Sequence, residues 1–365
     1  MKLIYIANAR IPTEKAHGIQ IMKMCEVFAD LGHEVTLFVP SRVSVIKTDP
    51  FEYYSVKNNF KIVKIFTLDF VKLGRIGFVI ESVIFGINSA VRALLSDEDL
   101  VYGRDEIALS LVSVLSRNKR CAWESHTGQN NFFAKIAIRY SKKLIVISQG
   151  LSKHYENLGV KKEKIVVAHD GVNLKEFNYN AVDICAKYNL PVNKKLIVYT
   201  GKLGGWKGVD TLFKAGELLS DNNLLVVAGG SKDEISNLKH EYPRAVFLGH
   251  ITNEEVLVLQ SIAHVLVIPN TGKSEISRNF TSPLKVFEYM RSGVPIVASD
   301  LSSIREILDD NTAYFAKPDD PKSFADTINK VLVEYETALV KAKNALMEVK
   351  KYSWHERAKL ILENL

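Results

Sequence analysis

The strongest constraint on the fold of this chain is a series of short apolar runs, separated by amphipathic segments, that begins twice. Residues 3–7 are apolar, Gly32 ends the segment that follows, and residues 35–39 are apolar again. The segment between them carries apolar residues at helical spacing, namely Ile21, Met24, Cys25 and Phe28. This order of strand, helix and strand predicts βα units, whose strands form a parallel sheet.

The series restarts in the second half of the chain. Five apolar runs typical of buried strands occur there, at residues 196–201, 224–230, 246–249, 265–269 and 296–298. A polar segment with weak periodicity, residues 170–178, separates the two series, and we interpret it as a linker. The sequence therefore predicts an α/β protein of two doubly wound, Rossmann-like domains.

The composition is typical of a globular protein of this size. The chain has 365 residues, 47% of them hydrophobic and 24% charged, and at ~150 residues per domain this length favours two or three domains. Three cysteines without a Cys-x-x-Cys pair argue against a disulfide framework and a zinc site, and favour the reducing cytosol. We interpret residues 1–7 as a strand rather than a signal peptide. Residues 76–87, interrupted by Glu81, are too short a stretch to span a membrane.

The formal net charge of +7 lies entirely in the first half of the chain. Residues 1–170 contain 24 Lys and Arg against 17 Asp and Glu, whereas residues 171–365 contain 24 of each. Part of the excess forms a basic cluster, at Arg117, Lys119, Arg120, Lys135, Arg139, Lys142 and Lys143. Such a cluster favours anionic lipid headgroups, an acidic substrate or nucleic acid as partner. A solvated lysine-rich surface is the alternative.

Two segments of the second half carry residues suited to a diphosphate. The loop after residue 200 is rich in glycine and holds Lys202 and Lys207, although a flexible turn with exposed lysines is the alternative. Farther on, Ser282 as N-cap, Pro283 as first helical residue and Gly293 as stop predict a short helix. The N-terminus of such a helix offers N–H groups to an anion.

Glu288 lies in that short helix and is a candidate ligand of a sugar diol. The alternative is a surface pair with Lys285 and Arg291. In the first half, His126 lies near the end of a predicted strand, and Gly18 lies at the start of the first helix. A structural histidine and an ordinary turn are the alternatives for these two positions.

Several common motifs are absent from the sequence. No Gly-x-Gly-x-x-Gly, P-loop, Gly-x-Ser-x-Gly or His-Glu-x-x-His motif occurs, which removes support for nicotinamide cofactors, P-loop hydrolysis, the hydrolase elbow and zincin chemistry. Asp97-Glu98-Asp99 precedes a strand instead of following one. We therefore interpret it as a polar loop and expect no metal site.

Taken together, these segments resemble the retaining glycosyltransferases of the GT-B fold, specifically family 4 (glycosyl transferases group 1), over nearly the whole chain. The motifs that carry the resemblance lie at 17–18, 31–36, 124–126, 172–177, 201–208, 282–290, 317–321 and 352–354. The fold that the resemblance implies has two Rossmann-like domains facing across a cleft, residues 1–170 for the acceptor and 171–350 for the donor. Residues 351–365 would form a helix that packs back on the first domain.

The resemblance also implies roles for individual residues. Lys202 and Lys207 would contact the donor diphosphate, and Glu288 would bind the ribose. The backbone at Ser282, Pro283 and Leu284 would hold phosphate, Gly18 would close over the diphosphate, and His126 would be the active-site histidine. The family needs no metal, no cofactor beyond the nucleotide-sugar co-substrate, and no covalent intermediate.

Two positions depart from the family pattern. Phe280 stands where many members have a glutamate that binds the donor sugar, and Lys202 replaces a frequent arginine. Lysine keeps the charge but lacks the bidentate geometry of arginine. The identity of the sugar therefore does not follow from the sequence.

The function implied is that of a cytoplasmic, metal-independent hexosyltransferase in cell-envelope polysaccharide biosynthesis. Its expected partners are a nucleotide-sugar and a glycan or lipid-linked acceptor, without nucleic acid. We expect the basic cluster to surround the acceptor site and to give peripheral contact with an anionic membrane. A two-domain nucleotide-sugar epimerase and a catalytically silent sugar-nucleotide-binding or scaffold protein are the alternatives.

Overall fold

The computed structural model describes residues 1–44, 46–70, 74–116, 119–174 and 181–365, the last from residue 184 onward for side chains. It forms two compact units. Unit 1 contains Met1–Gly171 and Trp354–Leu365, and unit 2 contains Val172–Ser353.

Unit 1 is built on a parallel sheet of seven strands within its described part, in the order β3-β2-β1-β4-β5-β6-β7. The strands are β1 (Lys2–Ile6), β2 (Glu34–Pro40), β3 (Lys61–Ile65), β4 (Leu100–Gly103), β5 (Arg120–Ser125), β6 (Lys143–Val146) and β7 (Ile165–Val167). The helices between them are α1 (Ala16–Asp30), α2 (Pro50–Tyr53), α3 (Gly74–Leu94), α4 (Glu106–Leu115), α5 (Phe132–Tyr140) and α6 (Gln149–Asn157). The central strands are apolar along their length because helices cover both faces of the sheet.

Unit 2 repeats this plan with six parallel strands in its described part, in the order β10-β9-β8-β11-β12-β13. The strands are β8 (Lys195–Thr200), β9 (Asn223–Ala228), β10 (Val246–Gly249), β11 (Val265–Ile268), β12 (Ile296–Ser299) and β13 (Tyr314–Ala316). The helices are α7 (Ala181–Lys187), α8 (Val209–Glu217), α9 (Lys232–Glu241), α10 (Asn253–Ser261), α11 (Leu284–Ser292), α12 (Ser302–Arg305), α13 (Pro321–Val333) and α14 (Tyr335–Glu348). The prediction of two doubly wound α/β domains is confirmed, although the short strand β13 was not predicted.

The last helix, α15 (Trp354–Glu363), belongs to unit 1 although it follows unit 2 in the chain. It packs against α1, and Trp354, Ala358 and Ile361 are buried. The end of the chain is thus part of the first core.

Helix α3 is longer than the sequence predicted. It has 21 residues and, among the described helices, it is the one long and apolar enough to cross a membrane by length and composition. The apolar pattern continues beyond Ile87 to Leu94, and Glu81 and Arg92 interrupt it. However, α3 packs against α4, and its Glu81 is buried in an ion pair with Arg42. These contacts make α3 a helix of the unit 1 fold.

Candidate functional site

The candidate residues of each unit lie near the point where the strand order reverses. This point falls between β1 and β4 in unit 1, and between β8 and β11 in unit 2. Open parallel sheets bind ligands beyond the carboxyl ends of the strands at such a point. Each unit therefore has one edge suited to a ligand.

The loop after β8, residues 201–208, has three positions that favour glycine, namely Gly201, Gly205 and Gly208. Gly201 has a φ of +134° and Gly208 a φ of +65°, which L side chains rarely adopt. A Cβ at Gly208 would lie 2.0 Å from the carbonyl oxygen of Pro269. Thr271 N donates to Trp206 O at 3.2 Å, so the loop lies directly against the segment that follows β11.

Lys202 and Lys207 both come from this loop. Lys202 is exposed, and the Lys207 ammonium lies 3.4 Å from the centre of the Trp206 ring, a cation–π contact. Burial lowers the pKa of Lys207 to about 8, and the charge of Lys202 adds to the shift. Two like charges held near each other disfavour protonation until an anion binds.

The predicted start of the second segment is wrong by one residue. α11 begins at Leu284, and Pro283 occupies the N-cap position with ψ 120° and no side-chain hydrogen bond to the helix. Its extended ψ leaves Pro283 outside the helix, so Ser282 is not the N-cap. Ser282 and Pro283 are buried and Leu284 is half-buried. The predicted stop at Gly293, with φ +69°, is confirmed.

Glu288 is half-buried on α11. Burial raises the pKa of its carboxyl, against the charges of Arg291 and Lys285 and a hydrogen bond from Gln260. The alternative, a solvated surface pair of Glu288 with Lys285 and Arg291, does not occur in the structure. Lys285 is only 8% exposed, and the Arg291 guanidinium donates to the carbonyl oxygen of Asn173 at 3.0 Å.

A cleft adjoins the loop at the carboxyl ends of β9 and β10. Its lining combines the apolar side chains of Ile235 and Phe247 with Gly230, Lys232 and His250. The neighbouring Gly229 lies so close to the loop that a Cβ would be 2.0 Å from Gly201 O. A Cβ at Gly230 would likewise lie 2.4 Å from Leu203 Cδ1, so the cleft lies next to the loop that carries the lysines.

Phe280, which stands where many members of the family have a glutamate, is buried at the end of a π-helical turn, Ile276–Phe280. The side chain is apolar and 8% exposed, so this position offers a sugar no carboxylate.

In unit 1, Glu124 on β5 is the centre of a buried hydrogen-bonded network. Its Oε1 accepts from Gln20 Nε2 at 2.7 Å and from the Arg357 guanidinium at 3.0 Å, and it contacts His126 Nε2. Glu124 is 1% exposed and Arg357 3%. Helix α15 therefore brings a cation from the end of the chain to the carboxyl end of β5.

Opposing effects set the charges in this network. Burial alone would raise the pKa of Glu124, but three effects outweigh it and lower the pKa to about 2: the charge of Arg357, the charge that His126 carries at low pH, and the hydrogen bonds from His126 and Gln20. Burial lowers the pKa of His126 to about 4, and the charge of Arg104 adds to the shift. His126 is thus a neutral imidazole at pH 7, and the carboxylate assigns the proton to Nε2. Nδ1 is then the acceptor atom of the ring.

Arg104 and His17 lie at the same edge of unit 1. Arg104 follows β4 and donates to the Gln20 side-chain oxygen at 3.1 Å. Burial lowers the pKa of His17 to about 4, with Arg104 contributing. The edge therefore combines the guanidinium groups of Arg104 and Arg357 with two neutral imidazoles.

Gly18 is required by packing within unit 1. A Cβ at this position would lie 2.2 Å from the Tyr54 hydroxyl oxygen and 2.8 Å from Thr13 Cγ2. The Tyr54 hydroxyl in turn accepts from Thr13 N at 2.7 Å. This contact accounts for the glycine, and its role at a diphosphate stays a prediction.

Most of the described residues of the basic cluster lie at the opposite edge of the sheet from His126. Arg120 and Lys143 are the first residues of β5 and β6, whereas His126 follows the last residue of β5; a strand of this length spans about 20 Å. The expectation that these cations surround the acceptor site was therefore wrong for Lys119, Arg120, Lys142 and Lys143, because they lie at the amino ends of the strands. Lys135 differs, since it lies in the first turn of α5, which follows the carboxyl end of β5. Four of them donate to backbone carbonyls, namely Lys119, Arg120, Lys142 and Lys143. Arg117 lies outside the described residues.

Asp97 and Asp99 lie in a loop before β4, as predicted. The Asp99 carboxylate accepts from Lys2 N at 3.0 Å, and Asp97 pairs with the Lys2 ammonium. Within the described ranges no group of three or more His, Cys, Asp and Glu side chains could hold a metal ion.

Four residues at these edges were missed from the sequence. Arg104 could have been found, since it directly follows an apolar run. Gln20 and Lys285 lie in the same segments as the candidate residues Gly18 and Glu288, but nothing local marks them as buried. Arg357 has no sequence signal, because its partner Glu124 is 233 residues away.

Two family models match the chain. The model described as Glycosyltransferase Family 4 matches residues 18–176, and the model described as Glycosyl transferases group 1 matches residues 194–334. The matches fall in unit 1 and unit 2, respectively, apart from the few residues that follow Gly171.

Curated relatives are glycosyltransferases. The N,N'-diacetylbacillosaminyl-diphospho-undecaprenol alpha-1,3-N-acetylgalactosaminyltransferase of Campylobacter jejuni is 25% identical over 232 residues, which are 61% of this chain and 59% of that protein. The O-antigen chain mannosyltransferase RfbU of Salmonella typhimurium is 24% identical over 212 residues, 55% of this chain and 54% of that protein. The chain thus spans somewhat more than half the length of these relatives.

Solved structures match over the whole chain. HepE of Anabaena, in complex with UDP and glucose, has a TM-score of 0.77 at 15% identity and covers 100% of this chain and 98% of its own. Sucrose-phosphate synthase of Thermosynechococcus elongatus has a TM-score of 0.78 at 20% identity, with 99% and 97% covered. At such identities the likeness shows the fold alone. Since the two models match successive parts of the chain and the fold agrees with them, this chain belongs to the group 1, family 4 glycosyltransferases of the GT-B fold.

Proposed function

We propose that this chain transfers a hexose from a nucleoside diphosphate sugar to a glycan acceptor, with retention of configuration. The observation that carries the proposal is in unit 2, where the loop with Lys202 and Lys207 lies at the strand-order reversal, close to α11 and Glu288. Ammonium groups suit the diphosphate, a carboxylate suits the ribose hydroxyls, and the cleft beside Gly230 suits a flat base.

The proposed reaction mainly requires that the charge developing on the leaving group be stabilised. The bond between the anomeric carbon and the diphosphate breaks, and a bond to the acceptor oxygen forms on the same face of the sugar. The acceptor's hydroxyl proton passes to the leaving diphosphate, which keeps the atoms and charges balanced. Lys202 and Lys207 stabilise the negative charge that develops there, and neither a metal nor a further cofactor takes part.

His126 is the catalytic histidine of this proposal. Its neutral ring carries the proton on Nε2 and donates it in a hydrogen bond to Glu124, so that Nδ1 can accept a hydrogen bond from a sugar hydroxyl. A charged imidazolium could not accept one. Ser282, Pro283, Leu284 and Gly18 complete the proposed donor contacts through their backbone.

A lipid-linked glycan of the cell envelope is the proposed acceptor, used at the cytoplasmic face of a membrane. The Campylobacter relative is named for an undecaprenol-linked acceptor and the Salmonella relative for the O-antigen chain. Helix α3 supports this choice, because it exposes apolar side chains at helical spacing, among them Ile76, Ile80, Ile87 and Val91. Its first half lies at the ligand edge of unit 1, where Asn8, after β1, donates to Ser82 at 3.0 Å.

The function is tested by turnover with a panel of UDP-, GDP- and ADP-sugars in the presence of EDTA. We expect one donor to be consumed with release of nucleoside diphosphate when a polyprenyl-diphosphate glycan is added, and NMR of the product to show the donor's anomeric configuration. Interconversion of sugars without transfer would instead identify an epimerase. Binding without turnover would identify a silent binding protein, and activity restored only by Mg²⁺ or Mn²⁺ would contradict metal independence.

Glu288→Gln is expected to weaken binding of the nucleoside diphosphate about tenfold to hundredfold, since hydrogen bonds to a charged group contribute about 1.5–3 kcal/mol. Calorimetric titration with the nucleoside diphosphate alone measures this. Glu254→Gln, at an exposed position of α10, is the matched control and should bind like the wild type. Unchanged affinity of Glu288→Gln would remove this residue from the donor site.

Reversible membrane contact through α3 is tested with vesicles that contain phosphatidylglycerol. We expect the protein to co-sediment with them, and Ile76→Glu/Ile80→Glu to abolish sedimentation, because two carboxylates oppose both burial in the interface and the anionic surface. Val192→Glu is the control, since Val192 is 92% exposed in unit 2. Absence of wild-type binding at low ionic strength, where screening is weakest, would contradict the proposed contact.

A further inference from the structure

Lys285 is a buried cation at the ligand edge of unit 2. It lies in the first turn of α11 and is 8% exposed. Within the described part of the chain its Nζ has no hydrogen-bond partner. An ammonium group normally makes up to three hydrogen bonds, and leaving a buried one without partners is strongly unfavourable. The position therefore needs a reason other than packing, since methionine would fill the same space.

The surroundings of Nζ indicate what that reason is. The ammonium lies 3.5 Å from the centre of the Tyr199 ring and 3.2 Å from the point that a Cβ of Gly201 would occupy. The Tyr199 hydroxyl donates to the carbonyl oxygen of Lys202 at 2.7 Å. Lys285 thus lies beneath the turn Gly201–Lys202, at the start of the loop that carries the other two lysines.

The charges around Lys285 leave it poised for an anion. Lys207, from the loop, opposes its protonation, and Glu288, from its own helix, favours it, while burial has the largest effect and lowers its pKa well below the usual value. The facing residue of β8 is the neutral Tyr199. A diphosphate at this edge would add the negative charge that the cluster lacks.

We propose that Lys285 is a third cation of the donor site, which contacts the donor diphosphate. Since burial lowers the pKa of its ammonium, an anion bound beside it raises that pKa and favours proton uptake on binding. This inference rests on the proposed function, and it adds a binding residue to it. It also accounts for Gly201, because any side chain there would stand between the ammonium and the ligand edge.

The test compares Lys285→Met with the wild type in calorimetric titrations with UDP, GDP and ADP. Each titration is run in two buffers of different ionisation enthalpy, which gives the number of protons taken up. We expect Lys285→Met to weaken the best-bound nucleotide by about tenfold or more, the effect typical of a charge-assisted hydrogen bond, and to lower the proton uptake. Lys322→Met, at an exposed position of α13, should change neither quantity.

A purely structural lysine gives the opposite pattern. In that case Lys285→Met would raise the melting temperature, because a desolvated charge is removed, and would leave nucleotide affinity and proton uptake unchanged. That result would overturn the inference. The proposed function is judged separately by Glu288→Gln: if this variant loses affinity while Lys285→Met does not, only the role of Lys285 fails. A wild type that binds none of the three nucleotides would overturn both.

Discussion

Lys207→Ala is expected to lower kcat about 10²- to 10³-fold at saturating donor, while the protein stays folded. The ammonium lies on the Trp206 ring at 3.4 Å, so it is fixed in place before the donor binds. A positioned cation that stabilises charge on the leaving group contributes about 2.7–4 kcal/mol to the transition state. Steady-state turnover measures the effect, and circular dichroism shows that the fold is kept.

The matched control for Lys207 is Lys214→Ala, because Lys214 is an exposed lysine on the following helix α8. It should turn over like the wild type. A second measurement uses pH, since the pKa of Lys207 lies at about 8 in the free protein. Diphosphate affinity should be greatest below that pH and fall above it, where the free ammonium loses its proton. Wild-type turnover of Lys207→Ala would remove this lysine from the donor site.

The fold was predictable from the sequence because its signals are local. Each apolar run such as 196–201 lies between residues that break a strand, and a parallel sheet is the arrangement that buries such runs on both faces. The loop 201–208 was found for the same reason, since its position follows from the strand before it. Gly208 shows the limit of such a prediction, because the sequence contains the glycine but does not reveal its close approach to Pro269.

The remaining features depend on contacts between distant parts of the chain. Lys285 and Glu288 are three residues apart, as in a surface pair, and only packing against Tyr199 shows that Lys285 is buried. The basic cluster was misplaced because its prediction rested on nearness to a strand in the sequence and not on chain direction, although ligands bind only beyond the carboxyl ends of the strands. For Arg120 and Lys143, the first residues of β5 and β6, this difference decides the interpretation.

Arg357→Met is expected to destabilise unit 1 by about 3–5 kcal/mol at pH 7, because it leaves the charge of Glu124 buried without its cation. Unit 1 can be followed by itself. Trp123 and Trp354 lie in unit 1, and Trp206 lies in unit 2. In a Trp206→Phe background, tryptophan fluorescence during urea unfolding therefore reports unit 1 alone. The double variant Glu124→Gln/Arg357→Met is the control, since it removes both charges and should recover much of the stability.

The pair of Glu124 and Arg357 also predicts how the loss of stability in Arg357→Met changes with pH. In the wild type the pKa of Glu124 is lowered to about 2, below its unfolded value, so the pair contributes stability that is present above about pH 4.5 and is lost as the pH falls towards 2. Without Arg357 the largest remaining effect is burial, which raises the pKa of Glu124. Acidification then reduces the destabilisation of the variant, because the Glu124 carboxyl takes up a proton and no longer carries a buried charge. The difference in the free energy of unfolding between the wild type and Arg357→Met should therefore become smaller from pH 7 to pH 4. A difference that stays constant or grows would show that Arg357 does not act through the charge of Glu124.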